Sequence, residues 1–202
     1  RHIANYDTPI AAVAGRLEQD TWPSHNRNEW PHELDYRYLI LNGVERLEGI
    51  ARFSGGNHSI VRESALAIGG YDEKYVGWAL CEDVDLALRL WRAGGRITYD
   101  PSARLRHLNL ETGGCEFPGS RSRTPEWQTS FPANYFLVKN FFPRAEFWSG
   151  VVFRNFRKFA LRRENVVRPW LLPNAVVSYV YALVKAFQAS NEIGSHREGG
   201  SG

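Results

Sequence analysis

The stretch Gly77-Trp78-Ala79-Leu80-Cys81-Glu82-Asp83-Val84-Asp85-Leu86-Ala87-Leu88-Arg89-Leu90-Trp91 decides the reading of this chain. From Val84 onward, Val84, Ala87, Leu88 and Trp91 fall on one helical stripe and Leu86, Leu90 and Ala93 on a second, leaving Asp85, Arg89 and Arg92 on a narrow polar strip. A helix apolar around most of its circumference is a buried one, so Glu82 and Asp83 are carboxylates at the mouth of a rigid core element. Two readings of Asp83 stay open. Aspartate is a favoured N-cap and acids in a first turn are stabilised by the helix dipole; a carboxylate fixed at the end of a core helix is also well placed to be a general base.

Working outward, the residues before this helix alternate between strand-like and turn-like runs. Ile10 to Leu17 reads as a largely buried strand, Asp20 to Gly43 as an irregular excursion, and Leu47 to Phe53 as a second strand that delivers the chain to Gly55-Gly56-Asn57. That glycine pair is either a tight turn after a strand or a place where missing side chains let the backbone approach a ligand. Ser59 to Ile68 reads as a short helix stopped by Gly69-Gly70. After the acidic helix, Gly94-Gly95 is its stop and Arg96 to Tyr99 a strand, with Asp100-Pro101 turning into Ala103 to Leu108. Alternating strands and helices predict an α/β domain. Trp78 is read either as packing or as a flat face for a sugar ring. His107, alone at a strand end, is a hydrogen-bonded structural residue or a metal ligand. His2, His25, His32, His58 and His196 show no ligand spacing.

With 202 residues, 43% of them hydrophobic, the chain is long enough for one sizeable domain and an appendage, and 13% aromatic content argues against disorder. Cys81 and Cys115 form no CxxC pair, which points to a reduced, intracellular setting rather than a disulfide framework. The net charge of +3 is local: Val151 to Arg168 holds Arg154, Arg157, Lys158, Arg162, Arg163 and Arg168 against Glu164 alone. One basic surface is expected, and no nucleic-acid-binding body. The sequence has no methionine, even at position 1, and is read as a piece of a longer chain.

The run Phe53-Ser54-Gly55-Gly56-Asn57, then Arg62 to Glu73 with Gly69-Gly70-Tyr71-Asp72, then Glu82-Asp83-Val84-Asp85-Leu86, then Gly94-Gly95-Arg96-Ile97 and Arg106-His107, closely resembles the second half of the catalytic domain of glycosyltransferase family 2. The resemblance covers roughly residues 10 to 140. It implies an α/β fold: a partial GT-A-like sandwich lacking its N-terminal nucleotide-binding half, followed by C-terminal helices. It also implies an inverting enzyme that moves a sugar from a nucleotide-diphosphate donor to the hydroxyl of a glycan or lipid-linked acceptor, with Asp83 as general base and Glu82 as its orienting or acceptor-binding neighbour. Gly55, Gly56, Asn57, Gly77 and Trp78 would then lie by the donor sugar and acceptor, and His107 near the metal and diphosphate. A divalent cation, Mg or Mn, is implied, but the DxD motif that is its principal ligand would precede Arg1; Asp83-Val84-Asp85 matches that pattern only by letter. The fragment alone is therefore expected to be inactive.

The last third changes character. Val152, Phe156, Phe159 and Ala160 share one helical face while Arg154, Arg157, Lys158 and Arg162 line another, and Pro169 to Val184 carries no charge. That uncharged run is short of the ~20 apolar residues of a spanning helix, so a docked or interfacial helix is expected. The division expected is 1–142 for the transferase half, 143–190 for a basic, apolar helical appendage and 191–202 for a disordered tail. A cytoplasmic protein peripheral at the inner face of an anionic membrane follows. Thr112 to Arg123 reads as a mobile loop whose Arg121 and Arg123 are solvated or meet phosphate. Two other classes remain: a non-catalytic sugar-binding or interaction domain that kept the fold, and, last, a basic nucleic-acid binder built on 151–168, whose aromatics lie opposite its cations instead of among them.

Overall fold

The computed structural model describes residues 2, 3, 6, 9–18, 41–77, 79–108 and 126–198. Most of the expected 20–43 excursion, the 112–123 loop, Trp78 and residues 199–202 lie outside the described residues. The chain divides into two compact units, Arg1–Asp72 with Cys81–Asn109, and Glu73–Leu80 with Leu110–Gly202.

The first unit is mixed α/β. Strands β1 (Ala12–Glu18), β2 (Leu47–Glu48), β3 (His58–Ile60) and β4 (Ile97–Arg106) form one sheet in the order β2-β4-β1-β3. β1 is parallel to β4 and antiparallel to β3, and β2 is antiparallel to β4. Helices α1 (Arg62–Ala67) and α2 (Glu82–Arg92) complete the unit. Ala12 and Ala14 leave room for larger side chains, and Leu86, Ala87 and Leu90 of α2 join them with Ile50, Phe53, Ile97 and Tyr99 in one buried core. The apolar reading of α2 holds for Val84, Leu86, Ala87, Leu88 and Leu90, whereas Trp91, expected on the buried stripe, is exposed.

Its polar strip is put to use. Asp85 is fully buried and accepts from Arg89 Nε at 2.8 Å, while the same guanidinium donates to the carbonyls of Ile68 and Gly70 at 2.9 and 2.7 Å. Arg89 thus clamps the glycine turn after α1, where Gly69 and Gly70 take φ of 84° and 67° as that turn requires.

Three expected boundaries move. The second strand is only Leu47–Glu48, because Gly49 turns to φ 66° and breaks the pleat. The helix expected from Ser59 starts at Arg62, since Ser59 and Ile60 pair with β1. The turn expected at Asp100-Pro101 lies inside a single strand. There the β1/β4 register jumps from Gly15↔Asp100 to Arg16↔Arg104, a bulge that accommodates Pro101 without a ladder donor.

The second unit is helical among its described residues: α3 (Glu126–Phe141), α4 (Ala145–Trp148), a π-helical stretch (Ser149–Asn155), α5 (Phe156–Phe159), α6 (Arg163–Val167), a 3-10 turn (Pro169–Leu171) and α7 (Leu172–Glu198). Ala175, Tyr179, Ala182 and Ala186 form the buried stripe of α7, which packs on α3. The Tyr179 hydroxyl donates to Val151 O at 2.6 Å and lies 3.2 Å from Asn134 Oδ1, which also accepts from Asn155 Nδ2 at 2.9 Å. On the apolar face of the 151–163 stretch, Ala160 is fully buried and Phe156 meets Tyr179 edge-on at 5.4 Å. The helix continues through Glu198, past the Asn191 expected to open a disordered tail.

Candidate active site

Asp83 is the second residue of α2, not its N-cap. The cap position belongs to Cys81, which adopts a left-handed φ of 73°, following Ala79 at φ 50°. Two non-glycine residues in that region make the entry to the acidic pair a strained turn of order 1–3 kcal/mol each. The half-buried Asp83 carboxylate uses both oxygens: Oδ1 accepts from Val84 N–H at 2.8 Å and Oδ2 from Gly55 N–H at 2.6 Å. The first bond satisfies an orphan donor of the helix end, and the second ties the helix to the glycine turn. The capping reading and the functional reading are therefore compatible at one residue.

Burial pushes the Asp83 carboxyl above the ordinary aspartate value, against the bonds from Gly55 and Val84 and the charge that His58 carries when protonated, which pull it down. Glu82, half-buried beside it, is pushed up by burial and by the neighbouring Asp83 charge. Tyr71 is pushed up to about 12 by burial and by both carboxylates, so its hydroxyl stays protonated. A raised carboxyl holds a proton more firmly than a solvated one, which is the property a general base near neutrality needs.

The glycine turn is built for this approach. A Cβ on Gly55 would sit 3.4 Å from Asp83 Oδ2, whereas Gly56 faces only Leu17 at ordinary distance. Asn57 has another task. Its Nδ2 donates to Arg16 O and Ala103 O, both at 2.8 Å, and these are the strand residues on either side of the β1/β4 bulge. His2 Nε2 meets Asn57 Oδ1 at 3.0 Å, and a Cβ on Gly15 would run into both Ala103 O and the Asn57 amide. Asn57 is thus a staple across an irregular ladder. An open pocket of about 320 Å³ lies beside it, lined by His2, Asn57, Ser102, Ala103, Arg104 and Leu105.

The first unit brings together Gly55, Glu82 and Asp83, with Asn57 two residues on in the same turn. Gly77 belongs to the second unit, where its φ of 69° and a would-be Cβ only 3.0 Å from Gln128 O demand glycine. Gln128 O is the carbonyl that Pro132, lacking an N–H, cannot bond within α3. His107 is exposed just beyond β4, its N–H donating to Glu18 O at 2.8 Å. Among the described residues no three His, Cys, Asp or Glu side chains gather to hold an ion. Sequence reasoning missed His58 and Tyr71. Tyr71 Oη lies 3.0 Å from His58 Nε2, and His58 Nδ1 lies 2.9 Å from Ser54 O. The signal was position: His58 directly follows Gly-Gly-Asn.

Comparison with known proteins falls on this same stretch. The family model described as "N-terminal domain of galactosyltransferase" matches residues 40–111. An N-acetylglucosaminyl-diphospho-decaprenol L-rhamnosyltransferase of Mycobacterium tuberculosis is 38% identical over 94 residues, 46% of this chain and 27% of that protein. A putative polypeptide N-acetylgalactosaminyltransferase 10 of Drosophila melanogaster is 24% identical over 144 residues, 71% of this chain and 18% of that protein. Human polypeptide N-acetylgalactosaminyltransferase 3 is 24% identical over 135 residues, 58% of this chain and 21% of that protein. The chain thus spans about a quarter or less of the length of these relatives, and no solved structure matches it. These likenesses support a glycosyltransferase domain, and the matched family model spans Gly55, Glu82 and Asp83.

Proposed function

We propose that this chain is the acceptor-side half of an inverting, nucleotide-sugar-dependent glycosyltransferase of family 2, on a partial GT-A fold, with Asp83 as general base. The observation that carries the reading is the Asp83 carboxylate, raised in basicity by burial and fixed by Gly55 N–H and Val84 N–H. Each oxygen retains a lone pair. One of them accepts the acceptor hydroxyl proton as the hydroxyl oxygen bonds to the anomeric carbon and the bond to the diphosphate breaks on the opposite face. Glu82 orients the acceptor hydroxyl. A Mg or Mn ion would neutralise the leaving diphosphate. The donor is a nucleotide sugar and the acceptor a glycan or lipid-linked glycan.

Asp83→Asn in the full-length protein tests this. Transfer from uridine, guanosine and thymidine diphosphate sugars should fall by ~10² to 10⁴ with donor affinity retained. Undiminished turnover would refute the base, and a full-length protein that binds glycan but transfers from none of these donors would favour the non-catalytic sugar-binding reading.

The proposal places the protein at the cytoplasmic face of an anionic membrane. Pro169–Glu192, 24 residues long, passes for a crossing helix by length and composition, with 22% of its apolar window buried. Its outer face carries exposed Val177, Val180, Tyr181 and Val184 in a continuous strip opposite the buried alanines, and exposed Arg163 and Arg168 precede it. An apolar strip next to cations fits a lipid boundary with anionic headgroups. The lipid-facing element is then the outer face of α7.

A further inference from the structure

The peptide group joining Ser54 to Gly55 is bonded at both ends. Its N–H donates to Asp83 Oδ2 at 2.6 Å, and its carbonyl oxygen lies 2.9 Å from His58 Nδ1. A carbonyl oxygen can only accept, so Nδ1 carries a proton, and neutral His58 then offers the Nε2 lone pair to Tyr71 Oη at 3.0 Å. The imidazole is held flat against Phe53, with centroids 4.3 Å apart and planes within 8°. Tyr71 O–H to His58, His58 N–H to Ser54 C=O, and Gly55 N–H to Asp83 therefore run in one direction. Donors and acceptors aligned in series polarise one another.

We propose that His58 and Tyr71 are positioning residues for the Asp83 carboxylate, acting through the Ser54–Gly55 peptide. Packing alone would need only the stack on Phe53; here both ring nitrogens are engaged, and they lead to Gly55 N–H, a backbone donor that reaches Asp83 from outside its helix. Donation to Ser54 O makes Gly55 N–H a stronger donor, which holds the carboxylate in place and moderates the basicity that burial gives it. The charged groups facing this carboxylate are Glu82, whose carboxyl it raises, and His58 when protonated, which lowers it; the Tyr71 hydroxyl stays neutral. For its catalytic meaning the inference rests on Asp83 being the base. Its test does not.

The test is a pH titration of the backbone amide spectrum, read at Gly55, together with carboxyl-labelled aspartate read at Asp83. His58→Phe keeps the stack and removes both hydrogen bonds, and should raise the Asp83 midpoint by roughly half a pH unit while moving the Gly55 amide proton upfield. His58→Asn keeps a side-chain N–H near the Nδ1 position without a titrating ring, and should stay close to the parent. Tyr71→Phe should shift both signals in the direction of His58→Phe, by less. The proposal is overturned if His58→Phe leaves Asp83 and Gly55 unchanged, or if His58→Asn shifts them as far, since the ring charge and not its N–H would then be acting. Should His58→Phe fail to fold, an unmoved Gly55 amide in Tyr71→Phe overturns it equally. Loss of transfer in Asp83→Asn is a separate measurement, so failure of either claim is seen on its own.

Discussion

Gly55 donates its backbone N–H to Asp83 Oδ2 across 2.6 Å, joining a turn and a helix end 28 residues apart in sequence. That bond ties the acidic pair to the glycine turn and not merely to its own helix terminus. It fixes one carboxylate oxygen while the other serves the helix, and it holds the carboxylate where burial raises its proton affinity.

The raised Asp83 and Glu82 carboxyls imply a definite pH dependence of stability. Groups that hold protons more firmly folded than unfolded stabilise the fold fully below the ordinary carboxylate value of about 4, and lose that contribution as pH rises through their raised values. Thermal melts of the parent and of Glu82→Gln/Asp83→Asn between pH 4 and 7 should therefore diverge. The parent should lose ground to the variant as pH rises, and parallel curves would remove the burial argument.

Asn57 predicts a stability effect away from the chemistry. Asn57→Ala leaves Arg16 O and Ala103 O without the amide that bridges them and should cost about 2 kcal/mol in urea unfolding. Gly15→Ala should cost at least as much, because its Cβ would meet the Ala103 carbonyl and the Asn57 amide. An unchanged midpoint for both would mean the bulge is not stapled.

Arg89→Met should destabilise by about 3–5 kcal/mol, since it removes the guanidinium charge beside a fully buried Asp85 carboxylate. Asp85→Asn/Arg89→Met should be more stable than Arg89→Met alone. A double-mutant cycle measures the difference, and additive costs would contradict the clamp.

The outer strip of α7 predicts lipid binding. Sedimentation with vesicles of phosphatidylglycerol and phosphatidylcholine should show binding that weakens with salt and falls roughly tenfold or more in Val177→Ser/Val180→Ser/Val184→Ser. Binding to neither anionic nor neutral vesicles, or no effect of the triple change, would return α7 to an ordinary surface helix.

Much of this was legible in the sequence because periodicity and glycine placement report local geometry. The sequence by itself determined that α2 is a core helix with Glu82 and Asp83 at its start, that Gly69-Gly70 ends α1, and that cations and uncharged apolar residues concentrate after Val151. It could not say which donor meets Asp83 Oδ2, that Asn57 spans a bulge, that Gly77 sits against the carbonyl Pro132 leaves free, or that Phe156 turns toward Tyr179. His58 and Tyr71 were silent for the same reason. A repeat along the chain fixes which face of an element is buried. What that face touches depends on strand register, and here the register jumps between Gly15 and Arg16, a three-dimensional event that only packing decides.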